Sequence, residues 1–422
     1  MKINKKEFLL NSEKIFTIVC LLFYSGGPLT LILSGGASEG DSDEAPTDTG
    51  LIQLVFMVIY LITCILLLLR WKKAISILSK VKFTWLIIFL SALSIFWSAA
   101  PQVTIVRTVA LFGTSLFGMY LASRYTLKEQ MELINWMFCV AIILGLLFAI
   151  ALPKYGLMGG LHSGALRGIY THKNVFGKIL SLGGVNCLLV ASANKRNSLF
   201  TWAIFGIAII CLILARSSSS MLSFTNLIVI FLGLRILRSP VIAVVPALSA
   251  ISIICINLYL FVTSNLNNLL GSIGKDATLT GRGDLWPLVW DKIWERPWLG
   301  YGFSGFWQGL DGESASVWYA SRWTPPNSHN GFLDLWLDLG LIGVVIFFIG
   351  FFVLLCKCFK YIRITNTSEG FWPAICLFYL IMINLTETSL LIQNNIFWIL
   401  YVSTEVSMIV VSNKKIKCLY SL

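Results

Sequence analysis

The chain has 422 residues, of which 57% are hydrophobic and 12% charged, about half the charged share of a soluble domain. Apolar runs of roughly 20 residues, each long enough to cross the hydrocarbon layer of a bilayer, recur from end to end and exclude a soluble globular protein. The formal charge of +12 is scattered in small groups between those runs, a pattern of membrane topology rather than of nucleic-acid binding.

The expected fold is an all-α polytopic membrane protein with about 12 transmembrane helices, at 15–34, 51–69, 83–100, 103–122, 131–151, 174–192, 198–215, 219–234, 241–262, 330–356, 371–389 and 395–412. Residues 1–262 hold the first nine helices, 263–329 form a large outer loop with an interfacial helix, and 330–422 hold the last three helices and a cytoplasmic tail. At the start, Lys2, Lys5 and Lys6 precede an apolar stretch at 15–33 and "SGGAS" at 34–38. A retained first helix is the favoured reading, because the stretch is long for a signal core; a cleaved secretory signal is the alternative. The ten cysteines lie in or beside apolar segments or in the tail. They show neither a disulfide framework nor a zinc spacing.

Placing the amino terminus in the cytoplasm puts Arg70, Lys72, Lys73, Lys80 and Lys82 inside, together with Arg124, Lys128, Lys195, Arg196, Arg235 and Arg238. Lys357, Lys360, Arg363, Lys414, Lys415 and Lys417 fall on the same side, and the acidic loop at 37–50 falls outside. Short inner loops are then basic throughout, as topology requires. Against that bias Lys154, Arg167, Lys173, Arg216, Lys275, Arg282, Lys292, Arg296 and Arg322 are outside, as are His162, His172 and His329. Cations held against the bias imply anion binding at the outer face.

Four outer segments carry candidate chemistry. "LPKYGLMGGLHSGALRGIYTHK" (152–173) has glycines that permit close backbone approach, then Arg167, His172, Lys173 and Asn174 leading into the sixth span; the plainer reading is a flexible connector with a basic anchor. "LARSSSSML" (214–222) sets Arg216 beside Ser217 to Ser220. Those hydroxyls can cap the next helix and make an anion site, or Arg216 snorkels to headgroups. "TGRGDLWPLVWDKIWERPWLGYGFSGFW" (280–307) predicts an amphipathic helix over 284–296, lying in the outer interface with Arg282 just ahead of it. Seven of the 15 tryptophans are in this outer loop, as an aromatic membrane belt or as platforms for sugar rings. "NSHNGFLDLWLDLGLIG" (327–343) opens the tenth span with His329 and Asn330; helical spacing places His329 on a stripe with Phe332, Trp336, Gly340 and Gly343. Taken alone His329 reads as a capping or packing residue, and beside the outer arginines as a working group. Glu387, inside the eleventh span, is a carboxylate at a costly depth that faces a cavity or a partner.

In these segments and in "FWSAAPQVTIVRT" (96–108) the chain resembles the bacterial O-antigen ligases and the related O-antigen and exopolysaccharide polymerases. The motifs keep their order across most of the chain, although relatives often show Ser-Arg-Gly where this chain has Ala215-Arg216-Ser217. The resemblance implies a GT-C-like, inverting glycosyltransferase that uses no metal or other cofactor. It would work at the periplasmic face of the bacterial inner membrane on a glycan carried by undecaprenyl pyrophosphate. It implies that Arg216 and Arg282 hold the departing diphosphate and that His329 takes or orients the proton of the attacking hydroxyl. By the same resemblance Arg167, His172, Lys173, Asn174 and Asn330 would bind phosphate or glycan, and Glu387 would orient a catalytic partner. Expected partners are the lipid-linked glycan, membrane lipid, and a chain-length regulator or flippase of the same pathway, with no nucleic acid. "FWSAAP" and "YTHKN" favour a polymerase; a ligase that transfers the glycan to lipid A core is the alternative. From another class, a transporter or flippase would need polar positions along a path through the membrane. Here they gather on one face, apart from Glu387 and Glu405. A scaffold without catalysis is a third reading.

Overall fold

The computed structural model describes residues 5–36, 50–193, 198–238, 282–322 and 324–419. The first half comprises α1 (Lys5–Tyr24), α2 (Leu29–Leu33), α3 (Gly50–Leu68), α4 (Trp71–Leu78), α5 (Lys82–Leu93), α6 (Pro101–Arg124), α7 (Leu127–Ala151) and the one-turn α8 (Pro153–Gly156). After a loop come α9 (Lys173–Ala193), α10 (Ser198–Leu214), α11 (Ser218–Ile236), α12 (Arg282–Glu295), α13 (Ala315–Ser321), α14 (Gly331–Ile364), α15 (Trp372–Asn384) and α16 (Ile396–Leu419). Among the described residues the only strand-like pairing is one bridge between Leu157 and Leu166.

Six of these helices, α3, α6, α7, α9, α11 and α14, are long and apolar enough to cross a membrane, and the pair Trp71–Ile77 and Lys82–Phe96, bent by 87°, offers a seventh crossing. Shorter apolar helices at Leu199–Leu214, Ser368–Asn384 and Ile396–Ser412 complete an all-α polytopic membrane protein. The predicted ninth span, 241–262, and the first part of the outer loop, with Lys275, lie outside the described residues.

At the basic end Glu13 of α1 accepts from Arg70 at 2.9 Å, from Arg124 at 3.1 Å and from Tyr120 at 3.2 Å. The Arg238 guanidinium there lies 3.8 Å from the Phe371 ring centre. The loop after α8 joins the end of α10 through Leu166 N–H and the Leu214 carbonyl, 3.0 Å apart.

Three predicted spans need correction. The run 15–34 is not one helix: α1 stops at Tyr24, Gly26 takes φ 94°, and Pro28 has no N–H to continue the ladder. The run 371–389 ends at Asn384, whose Oδ1 accepts the Ser389 N–H at 2.8 Å and closes the chain into a turn. Glu387 therefore sits in a turn past the helix, not within a span. With 13 residues, α15 rises about 20 Å, less than a full crossing of ~30 Å. Irregular backbone at such a level is accepted only where protein covers it.

The third correction is in α14, which is broken at Gly340 (φ 65°, ψ −171°). The segment 297–301 fills the break. Pro297 and Trp298 carbonyls accept the N–H groups of Leu341 and Ile342 at 2.8 and 3.3 Å, and the Leu337 carbonyl accepts Tyr301 N–H at 2.7 Å. On its other side the same segment receives the "FWSAAP" stretch: Trp97 Nε1 donates to the Leu299 carbonyl at 3.0 Å and Ala99 N–H to Tyr301 at 2.8 Å. Two motifs far apart in sequence thus exist to carry one wedge.

The amphipathic helix α12 buries Leu285, Val289 and Ile293 against Tyr301, Phe306, Val317 and Leu337. Its apolar face packs on protein instead of lying free in the interface, and Trp290 and Trp294 keep an exposed edge.

Candidate active site

The His329 turn is built by hydrogen bonds from three directions. Asn330, not His329, caps α14, its Oδ1 accepting the N–H groups of Phe332 and Leu333 at 3.0 and 3.3 Å. His329 precedes the cap in the left-handed region (φ 53°) and is buried, its N–H held by Asn327 Oδ1 at 2.9 Å. It is therefore off the helical stripe predicted for it. A non-glycine residue in this region is uncommon, and such strain collects at functional sites.

Asp334, one turn into α14 and buried, holds the turn in place. Its carboxylate accepts Ser328 N–H at 3.1 Å, the Trp307 indole at 2.9 Å and the Thr388 hydroxyl. Trp286 of α12 donates to the Ser328 carbonyl at 3.0 Å. Three tryptophans of the outer loop are thus struts: Trp286, Trp307, and Trp318, which donates to the Pro325 carbonyl at 2.9 Å. Trp290, Trp294 and Trp298 remain exposed, as a membrane belt requires, and Trp323 lies outside the described residues.

A second cluster forms where α9 meets α11. His172 Nδ1 accepts the Asn174 N–H at 3.2 Å, and the His162 ring stands 6.0 Å from the His172 ring. Asn174 Oδ1 accepts the Ser217 hydroxyl at 3.0 Å, and Lys173 Nζ approaches the Arg216 carbonyl at 3.5 Å. Arg216 is exposed in a left-handed turn (φ 48°). Ser217 precedes α11 without capping it through its side chain; its hydroxyl pairs with Asn174 and, at 2.9 Å, with Ser220. The two helices approach closely because a Cβ on Gly177 would lie 2.2 Å from Ser220 Oγ.

The turn after α15 joins the clusters. Lys178, one helical turn beyond Asn174, stands 3.8 Å from Glu387, and the next residue, Thr388, reaches Asn327 Oδ1 at 3.3 Å as well as Asp334. Gly331 presses on the same turn: a Cβ there would sit 1.9 Å from Asn384 Oδ1. Helix α9 thus holds Ser217, next to Arg216, through Asn174, and one turn on, through Lys178, meets the Glu387–Thr388 turn that is bonded to the residues around His329.

Arg167 does other work. It is buried, and its guanidinium donates to the carbonyls of Gly36 (2.6 Å), Lys154 (2.7 Å), Tyr155 (2.9 Å) and Thr171 (3.2 Å). Burial lowers its pKa from the usual guanidinium value. These bonds make it a clamp of the glycine-rich loop. Arg167→Ala is expected to cost on the order of 3 kcal/mol, and Arg167→Lys to recover little of it, since one ammonium cannot span four carbonyls. Thermal unfolding of the purified protein measures both.

Arg282 opens α12, the helix that braces Ser328 through Trp286; its side chain lies outside the described residues. Sequence reasoning passed over Lys178, Asn327, Asp334 as a clasp, and Thr388. Lys178 was hidden inside a predicted span, but its spacing of four from Asn174 is a usable signal, because it puts both polar side chains on one helix face.

Comparison with known proteins agrees with the motifs. The O-antigen ligase family matches residues 203–348. The exopolysaccharide production protein ExoQ of Rhizobium meliloti (strain 1021) is 25% identical over 296 residues, 67% of this chain and 66% of that protein. A protein of Rickettsia conorii, whose polysaccharide-ligase name is itself provisional, is 31% identical over 137 residues, 32% of this chain and 31% of its own length. The chain thus spans less than two thirds of either relative.

Proposed function

We propose that this chain, with its O-antigen ligase segment at 203–348, is an inverting glycosyltransferase that polymerises lipid-linked oligosaccharide repeat units at the periplasmic face of the bacterial inner membrane. The observation that supports this reading is that α9 and the turn after α15 tie Ser217, next to Arg216, and the turn around His329 into one polar region. A hydroxyl of the next repeat unit attacks the anomeric carbon of the growing chain. The new C–O bond forms as the bond to undecaprenyl pyrophosphate breaks, and the hydroxyl proton passes to His329. Negative charge gathers on the diphosphate, where Arg216 and Arg282 meet it with charge-assisted hydrogen bonds. A leaving group of this kind departs readily, so much of the rate comes from positioning. No metal ion is required by these steps.

A polymerase is favoured over a ligase by the "FWSAAP" and "YTHKN" segments and by ExoQ, a relative named for exopolysaccharide production. Transport is disfavoured because the polar cluster lies at one end, while Glu405, a buried carboxylate of α16, accepts the Thr84 hydroxyl between helices. A gel of surface polysaccharide from a deletion strain tests the reading. Loss of a polymerase leaves single repeat units at the surface, and complementation restores the ladder. Finished chains stranded on the lipid carrier would identify a ligase instead.

A further inference from the structure

Asp334 lies one turn into α14 and is only 7% exposed. An aspartate this near a helix start would serve the helix dipole equally well from the surface. Burying its charge is costly, and an apolar residue of similar volume often gives equal or greater stability. The oxygens of Asp334 are engaged with other parts of the chain. Oδ1 accepts the Trp307 indole N–H at 2.9 Å and the Ser328 N–H at 3.1 Å, and Oδ2 accepts the Thr388 hydroxyl. All of these partners are donors, which suits an ionised carboxylate, a group that only accepts.

We propose that Asp334 is a positioning residue of the transfer reaction, acting through His329 by fixing the left-handed backbone that sets where the imidazole points. The inference rests on the proton-acceptor role read for His329 above and adds to it the group that holds that acceptor in place.

The turn shows how the hold is made. Asp334 binds the N–H of Ser328, the residue before His329. Thr388, itself bound to Asp334, also stands 3.3 Å from Asn327 Oδ1, the atom that accepts the His329 N–H at 2.9 Å. On the other side Asn330 is fixed as the cap of α14, and its own N–H meets Ser328 Oγ at 3.2 Å. His329, at φ 53°, is therefore tied on both sides to one carboxylate-centred network. Backbone in this region persists only where its surroundings over-determine it, and Asp334 is the common member of those surroundings.

Its donors also come from separate elements. Trp307 belongs to the segment after α12, Ser328 to the turn itself, and Thr388 to the turn after α15. A shift of either flanking element would thus move the histidine. A general base has to stay within hydrogen-bond reach of its proton, and a displacement of about 1 Å can cost about 10²-fold in rate.

A double-mutant cycle on the full-length protein in lipid nanodiscs tests this, with chain extension of the lipid-linked repeat unit as the readout. Asp334→Ala is expected to lower kcat by about 10²-fold with KM little changed. Asp334→Asn, which keeps one acceptor oxygen, should recover part of that loss. In a His329→Ala background the same substitutions should cost less than about twofold, because the group they position is gone. Equal fold-losses in the two backgrounds would mark Asp334 as a strut of the fold and overturn the proposal, as would an unchanged rate in Asp334→Ala. Thr388→Val removes one donor and keeps the side chain's volume; it runs through the same cycle with a smaller expected loss, and decides the question if the Asp334 variants do not fold. Full turnover in His329→Ala leaves Asp334 nothing to act through and overturns the proposal while glycosyl transfer stands. A wild-type protein that extends no chain removes the broader reading with it.

Discussion

Replacing His329 with alanine is expected to slow glycosyl transfer by about 10²–10⁴-fold, the range that a positioned general base supplies, without a matching loss of stability. The capping of α14 belongs to Asn330, so the imidazole can be removed without uncapping the helix. The backbone at 329 is left-handed (φ 53°), and asparagine tolerates that region better than most residues. His329→Asn therefore separates the side chain's chemistry from the backbone's strain: it should fold at least as well as the alanine variant and be equally slow. Steady-state rates of the purified variants measure this, and full activity in either variant would remove the proton-acceptor role.

Gly340→Val should be the most damaging substitution away from the chemistry. At φ 65° and ψ −171° the residue occupies a region open essentially to glycine alone. A Cβ there would lie 2.1 Å from the Trp298 carbonyl oxygen. Backbone strain of about 1–3 kcal/mol and overpacking of about 1–3 kcal/mol together are enough to expel the 297–301 wedge. That wedge holds the "FWSAAP" stretch on one side and the broken helix on the other. Tyr301 and Leu337, one from the wedge and one from the break, share the small core that seats α12. Activity is expected to fall with stability, and limited proteolysis should open first near 297–301. A variant with normal unfolding temperature and normal turnover would show that the wedge is dispensable.

Long spans were readable from the sequence because apolar periodicity reports burial in lipid or protein directly. The breaks were not. Gly340 sits in "LDLGLIG", where hydropathy continues unbroken; only the contact with residues 40 positions earlier makes the break stable, and no local pattern encodes that. The end of α15 was hidden in the same way, since "LTETSLL" remains apolar enough to extend a span. The first run was broken by Gly26 and Pro28, residues whose meaning was visible in principle. At the site, His329 was singled out through its neighbours rather than its own signal. The clamping role of Arg167 was not legible, because a cation in a glycine-rich loop looks the same whether it faces a ligand or four carbonyls. Lys178 gives no signal of its own, because one lysine hardly lowers the hydropathy of the apolar run around it.

The most direct measurement of the central claim, that the outer arginines meet a departing lipid diphosphate, is a reconstituted turnover assay on purified protein. The lipid-linked repeat unit from a deletion strain serves as substrate, with a metal chelator present throughout. Wild type is expected to release one lipid diphosphate for each glycosidic bond formed, and Arg282→Ala to lose turnover by about 10²–10³-fold, with Arg216→Ala falling in the same direction. Chain extension that proceeds at the wild-type rate in both arginine variants would contradict the account.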